Sequence, residues 1–240
     1  LGILCSFTLL AAPAPNACDP APPDMTGTWV TKLVTPGNIS LPNIPLTATA
    51  NIEAVIRLHI SQSGGNFVHK LEICKLATPT TPDPNALRVT YSPAMLATMG
   101  ATASIPVYTP TVGGAVTIPQ FVIQTGSNKV CSGSCVASDF VDSDGDGQPG
   151  VTLPASVGIF TVQAYGALTT TINLSSSTLT DAQTITGNAA FSTAGQVLRT
   201  NPELLPGGPI QVQPSTPTTP VTAKRLAGDV PCSTVAGMFP

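Results

Sequence analysis

The sequence predicts an all-β protein: a single antiparallel barrel or sandwich of about 8–11 short strands, with one acidic loop inserted between strands. Three observations predict it. Short β-branched and alternating stretches recur along the chain, and turn residues punctuate them, with 25 prolines and 21 glycines in 240 residues. Hydrophobic residues make up 42% of the chain, enough to bury a core. Only 9% of residues are charged, against roughly 25% in an average soluble domain, and no long helical or βαβ pattern appears. The net charge of −3 leaves no basic surface for a nucleic acid, so that partner is excluded.

The elements follow in order. Leu1 to Ala12 is an apolar run too short to span a bilayer as a helix, but of the length of a signal-peptide core. No basic segment precedes it, so residues 1–17 read as a truncated signal peptide; a buried first strand is the other reading. Ala17 before Cys18 resembles the lipobox of bacterial lipoproteins, which implies acylation of Cys18 and a membrane partner through that lipid anchor. Ordinary cleavage, with Cys18 kept in the mature chain, is the alternative. Residues 18–25 are Pro-rich and read as a tether, and residues 26–240 as one β-domain.

Thr26 to Thr35 reads as the first strand, and Pro36 to Pro45, with three prolines, as a loop. Ala48 to Leu76 is the clearest hairpin. A turn at Gly64-Gly65 pairs Ile60 with His69, Leu58 with Leu71 and Ile56 with Ile73, and sets Arg57 opposite Glu72 on the other face. Leu87 to Tyr91, Ser104 to Tyr108 and Val116 to Gln124 read as strands, with one or two helical turns over Pro93 to Gly100. After the acidic loop, 139–150, strands are expected over 157–165, 167–174, 178–186 and 189–199, with turns at Gly166, Ser175-Ser176-Ser177 and Gly187. Residues 201–222 are proline-rich and expected along the surface, and Val221 to Leu226 as a last short strand. Gly27-Thr28-Trp29 resembles the start of lipocalin-like barrels, where the tryptophan plugs one end.

The sharpest motif is Asp142-Ser143-Asp144-Gly145-Asp146-Gly147-Gln148. Carboxylates at alternate positions converge on one hard cation, glycine permits the turn, and the Gln148 carbonyl falls at the next ligand position. An EF-hand would need a bidentate Glu where Leu153 stands, and no helices flank the loop. The string resembles the Asp-x-Asp-Gly-Asp-Gly loops of thrombospondin type 3 repeats and dockerins in a single copy, which implies calcium. Asp139 is a further carboxylate nearby. Four of the 12 acidic residues lie within eight positions of a chain that otherwise avoids charge. The expected calcium is structural, bound at about 10⁻⁴–10⁻³ M. The order of Gly-Thr-Trp, the Gly-Gly hairpin with Leu71-Glu72-Ile73-Cys74, the acidic loop and a late cysteine also resembles that of uncharacterised bacterial lipoproteins, a likeness that brings no activity with it.

Cys5 falls in the signal, and lipidation of Cys18 leaves four cysteines for disulfides. The preferred pairs are Cys131–Cys135 and Cys74–Cys232; the two other connectivities, 74–131 with 135–232 and 74–135 with 131–232, stay open. His59 and His69 point to opposite faces of the hairpin and share no metal. No Gly-x-Ser-x-Gly elbow or nucleotide-binding glycine loop occurs, and Glu53, Glu72 and Glu203 are the only glutamates, so the expected protein is not an enzyme. The expected role is structural or adhesive at the cell surface, with a protein or glycan partner; the alternative is a lipocalin-like binder of a small apolar ligand.

Overall fold

Alternation of apolar and polar side chains governs the architecture, because it gives each strand one face to bury. The computed structural model describes residues 23–40, 47–77, 88–131, 133–157, 160–203, 207–214 and 217–239. The apolar head, Cys18 and the tether as far as residue 22 lie outside them. Eleven strands form one antiparallel sheet: β1 (Gly27–Ser40), β2 (Thr47–Ser63), β3 (Asn66–Ala77), β4 (Arg88–Val89), β5 (Gly100–Pro106), β6 (Phe121–Thr125), β7 (Val151–Val157), β8 (Phe160–Asp181), β9 (Thr184–Asn201), β10 (Gly208–Pro214) and β11 (Thr219–Arg225). Two short helices accompany them, α1 (Pro93–Thr98) and α2 (Cys232–Gly237).

The order is β4-β7-β8-β9-β10-β1-β2-β3-β5, with β6 beside β8 and β11 between β1 and β9. The long strands exchange neighbours along their length. Residues 160–166 of β8 pair with β7 and residues 168–172 with β6. Residues 184–189 of β9 pair with β11 and residues 193–197 with β10. Around one end, β6-β8-β9-β11-β1-β2-β3-β5 therefore runs almost full circle. Among the described residues no ladder joins β5 to β6, so the sheet curls around its core without closing. Inner faces from every side meet in that core, through Trp29, Leu33, Ile56, Leu71, Ile123, Ile172 and Leu179.

The β2–β3 hairpin has the expected register, Ile60 opposite His69, Leu58 opposite Leu71, Ile56 opposite Ile73 and Arg57 opposite Glu72. Gly64 and Gly65 both adopt positive φ, which a two-residue turn between twisted strands requires. Five expectations need correction. The stretch after Thr35 is not a loop: β1 continues through Pro36 to Ser40. Pro36 pairs with Asn51 on one side, and on the other it falls where β1 passes from β11 (Trp29, Val30) to β10 (from Gly37), so no ladder hydrogen bond needs its missing N–H. Gly166 and Ser175-Ser176-Ser177 are not turns but lie inside the single strand β8: Gly166 sits where β9 bulges at Leu198, and the serines form a bulge of β8 itself. A Cβ on Gly166 would lie 2.4 Å from the Gln196 carbonyl oxygen, so the glycine marks close backbone packing. The chain reverses instead at Ala182-Gln183, where Asp181 accepts the Gln183 N–H at 2.7 Å, and Gly187 lies inside β9. Residues 208–214 are not a surface segment but β10, and the expected last strand begins earlier, at Thr219, as β11; both are inserted between β9 and β1.

The fold reaches back beyond Thr26. Met25 is buried, and its carbonyl accepts the Trp29 Nε1–H at 3.0 Å. The Arg225 guanidinium lies over the Trp29 ring at 6.0 Å and bonds Asp24 and the Thr26 carbonyl. On the outer face of β1–β3, the segment from Leu226 to Phe239 packs Val235 against Val30 and Val55. Buried Arg57 bonds Glu72, Asp229 and the Val230 carbonyl there. Cys232, at the head of α2, is joined to Cys74 of β3, as expected, across 158 residues.

Candidate metal centre

Chain reversal after the 3-10 turn Ala137–Asp139 leaves the acidic loop standing off the junction of β6, β7 and β8. Its neck is an antiparallel pair: Ser143 N–H donates to the Gly150 carbonyl at 3.1 Å and Gly150 N–H to the Val141 carbonyl at 3.2 Å. Val141 also donates to the Gly126 carbonyl, at 3.1 Å. Gly126 and Gly150 cross the backbone of Gly166 so closely that a Cβ on either would lie 2.4 or 2.3 Å from its carbonyl oxygen. Only glycine fits at such a crossing, and both residues have positive φ.

The alternate spacing then brings one carboxylate oxygen each from Asp142, Asp144 and Asp146 within 4.8 Å of one another, a group that could hold a metal ion. Each carboxylate is oriented by the backbone. Asp142 accepts from Gly145 N–H at 2.7 Å and Gly147 N–H at 2.9 Å; these bonds, the Gly147 one foremost, hold its pKa below the ordinary carboxyl value. Asp146 accepts from Gln148 N–H at 2.8 Å and from the Thr152 hydroxyl. Asp144 uses Oδ2 to accept from Thr152 N–H at 2.9 Å, while its Oδ1 is buried and has no partner. A buried carboxylate oxygen without a donor is costly, and a cation removes that cost.

Of the expected ligand residues the structure gathers Asp142, Asp144 and Asp146 into one group, and it adds partners that the spacing does not name. Thr152 joins two of the aspartates to β7. Arg199, 51 residues from Gln148, bonds the Gln148 side chain and lies over the Tyr165 ring at 4.5 Å. That separation carries no local signal. Asp139 stands apart from the cluster: its carboxylate takes Lys129 Nζ at 2.7 Å and the Val136 N–H at 2.8 Å, and Lys129 keeps its pKa low. Gln148 presents its N–H to Asp146.

The second expected disulfide, Cys131–Cys135, closes a small loop beside this junction. Gln196 secures it, accepting the Cys135 N–H and donating to the Cys135 carbonyl, each at 2.8 Å. Two disulfides fit an oxidising, exported environment. No helix among the described residues is long and apolar enough to cross a membrane. Comparison with known proteins finds no matching family model, and neither a curated protein nor a solved structure matches the chain.

Proposed function

We propose that the chain is an exported, non-catalytic β-domain whose acidic loop is ordered by calcium, with a structural or adhesive role at the cell surface and a lipid anchor at Cys18. The observation that carries the cation is Asp144 Oδ1, a buried acceptor without a donor, set among two further carboxylates. Calcium suits the site because it takes 6–8 oxygen ligands in flexible geometry, whereas magnesium demands a near-ideal octahedron. Three aspartates supply part of that shell, and the exposed side of Asp142 and Asp146 admits water for the rest. Affinity in the range of about 10⁻⁴–10⁻³ M is expected of an extracellular site with few carboxylates. The ion is distant in role from chemistry: it fixes the loop through Thr152 to β7. Low charge, two disulfides and the spacer-like residues ahead of Asp24 support the surface role.

Calorimetric titration of the domain with calcium tests the reading. One site is expected, removed by Asp144→Ala and weakened in Asp142→Asn, with a rise in Tm at about 10 mM calcium. Absence of both heat and thermal shift at that concentration would refute it. Mass spectrometry of the native N-terminus tests the anchor, since an unmodified Cys18 leaves a secreted protein.

A further inference from the structure

A second region of the molecule carries its own chemistry, independent of the cation. From Val89 to Asn128 the chain contains no charged side chain, its longest such stretch. That stretch supplies α1, β5 and β6, which border the open seam of the sheet. The core-facing residues of β5, Ala101, Ala103 and Ile105, are only half-buried, whereas Leu71 and Ile73 on the adjoining β3 are 0% and 2% exposed. Solvent therefore touches the core-facing side chains of β5, though not those of β3.

Two buried polar atoms without hydrogen-bond partners lie on that inside face. His69, opposite Ala103 on β3, is 2% exposed, and its Nδ1 has no partner. Thr125, at the end of β6 on the face that carries Phe121 and Ile123, is 1% exposed, and its Oγ1 has none. Besides Asp144 Oδ1, they are the orphaned side-chain atoms among the described residues. Each such atom is destabilising while it stays unpaired, so a group able to satisfy it is rewarded. Phe67 stands beside His69, with ring centroids 6.4 Å apart, and meets Tyr108 edge to face at 5.5 Å, so the two offer an aromatic wall.

We infer that the seam between β5 and β6 is a side entrance for a small neutral molecule with an apolar body and one hydroxyl, and that this hydroxyl satisfies His69 Nδ1 or Thr125 Oγ1. A hydroxyl both donates and accepts, so it serves either tautomer of the imidazole. Neutrality follows from a border without charge on which an ion would have no counter-charge to meet. The two alanines opposite β3 leave room where larger residues would fill the inside.

2-Naphthol and naphthalene are the probes, titrated into the full chain by calorimetry, with His69 followed by nitrogen NMR and assigned through a His59→Gln variant. 2-Naphthol is expected to bind saturably and to shift the His69 Nδ1 resonance, and naphthalene to bind at least about tenfold more weakly, or about 1.4 kcal/mol. Ala103→Leu is expected to abolish binding while the protein still unfolds cooperatively; if that variant does not fold, Ala101→Val replaces it. Absence of 2-naphthol binding, equal affinity for both probes, an unmoved His69 resonance, or a folded space-filling variant that binds like the parent would each overturn the inference.

Discussion

The two sides of β3 are built on opposite principles. Towards β2 and β1 the outer face is charged and fastened: Lys32 and Lys75 meet Glu53 at 3.1 and 3.4 Å, Arg57 joins Glu72 and Asp229, and Cys74 holds the C-terminal segment covalently. β5 and β6 themselves carry neither charge nor crosslink, and the ladder stops. The lesson is that this chain, with few ionisable residues, gathers a group of them where one segment must be held over another. A strand edge left bare of charge is otherwise a pairing hazard, and here Pro106 ends the exposed strand after seven residues.

The largest effect should come from the fastened side. Replacing Cys74 and Cys232 together with serine removes a constraint over 158 residues, worth about 5 kcal/mol in chain entropy, against about 2 kcal/mol for Cys131 with Cys135. Paired urea titrations check the ratio; equal losses would mean that the C-terminal segment is held by its packing alone. Next, Arg57→Ala is expected to cost about 2–3 kcal/mol, because Glu72 and the Val230 carbonyl lose a buried donor. A third comparison sets Leu71→Ala, at about 3 kcal/mol, against Ile105→Ala, at about 1 kcal/mol, since the half-buried seam has less to lose. Amide hydrogen exchange should agree, with β5 and β6 exchanging faster than β2 and β8.

The smallest effect is on pH dependence. Burial lowers the pKa of His69 from 6.5, the nearby Phe67 backbone opposing it in part. The unfolded chain thus takes up the proton first, so stability is full above pH 6.5 and falls as pH drops below it. His69→Phe should flatten that slope in denaturant titrations between pH 7 and the acid side, and an unchanged slope would place the imidazole in contact with water.

The hairpin was legible because three local signals agreed: alternation, a Gly-Gly turn and a cross-strand Arg57–Glu72 pair. The acidic loop was legible because its ligand types and spacing are local too. Gly166 was misread because the same residue serves turns and close packing, and only the partner strand, with Gln196 against it, tells them apart. Thr180-Asp181-Ala182-Gln183 did carry the signal for the real turn, an aspartate two residues before the N–H it accepts. The strand β10 and the first two residues of β11 were hidden by their prolines, whereas the rest of β11 matches the short strand expected from Val221. Nothing local could show that Thr31 would bond the Thr222 carbonyl, at 2.9 Å, or that Thr35 would meet the Thr219 hydroxyl, at 3.3 Å.

The position of β1 governs the order in which the protein can be made. Its partner on one side, β2, follows within a few residues, but its partners on the other side, β10 and β11, begin only at Gly208 and Thr219. As the chain emerges from a ribosome or a translocation channel, the first strand must wait through roughly 170 residues for its second neighbour. Such non-local pairing makes for folding in milliseconds to seconds and exposes the waiting edges to other chains. Release of a chain stopped before Gly208 would leave β1 and β9 without the strands that join them, so the molecule becomes one sheet only when its last segment arrives.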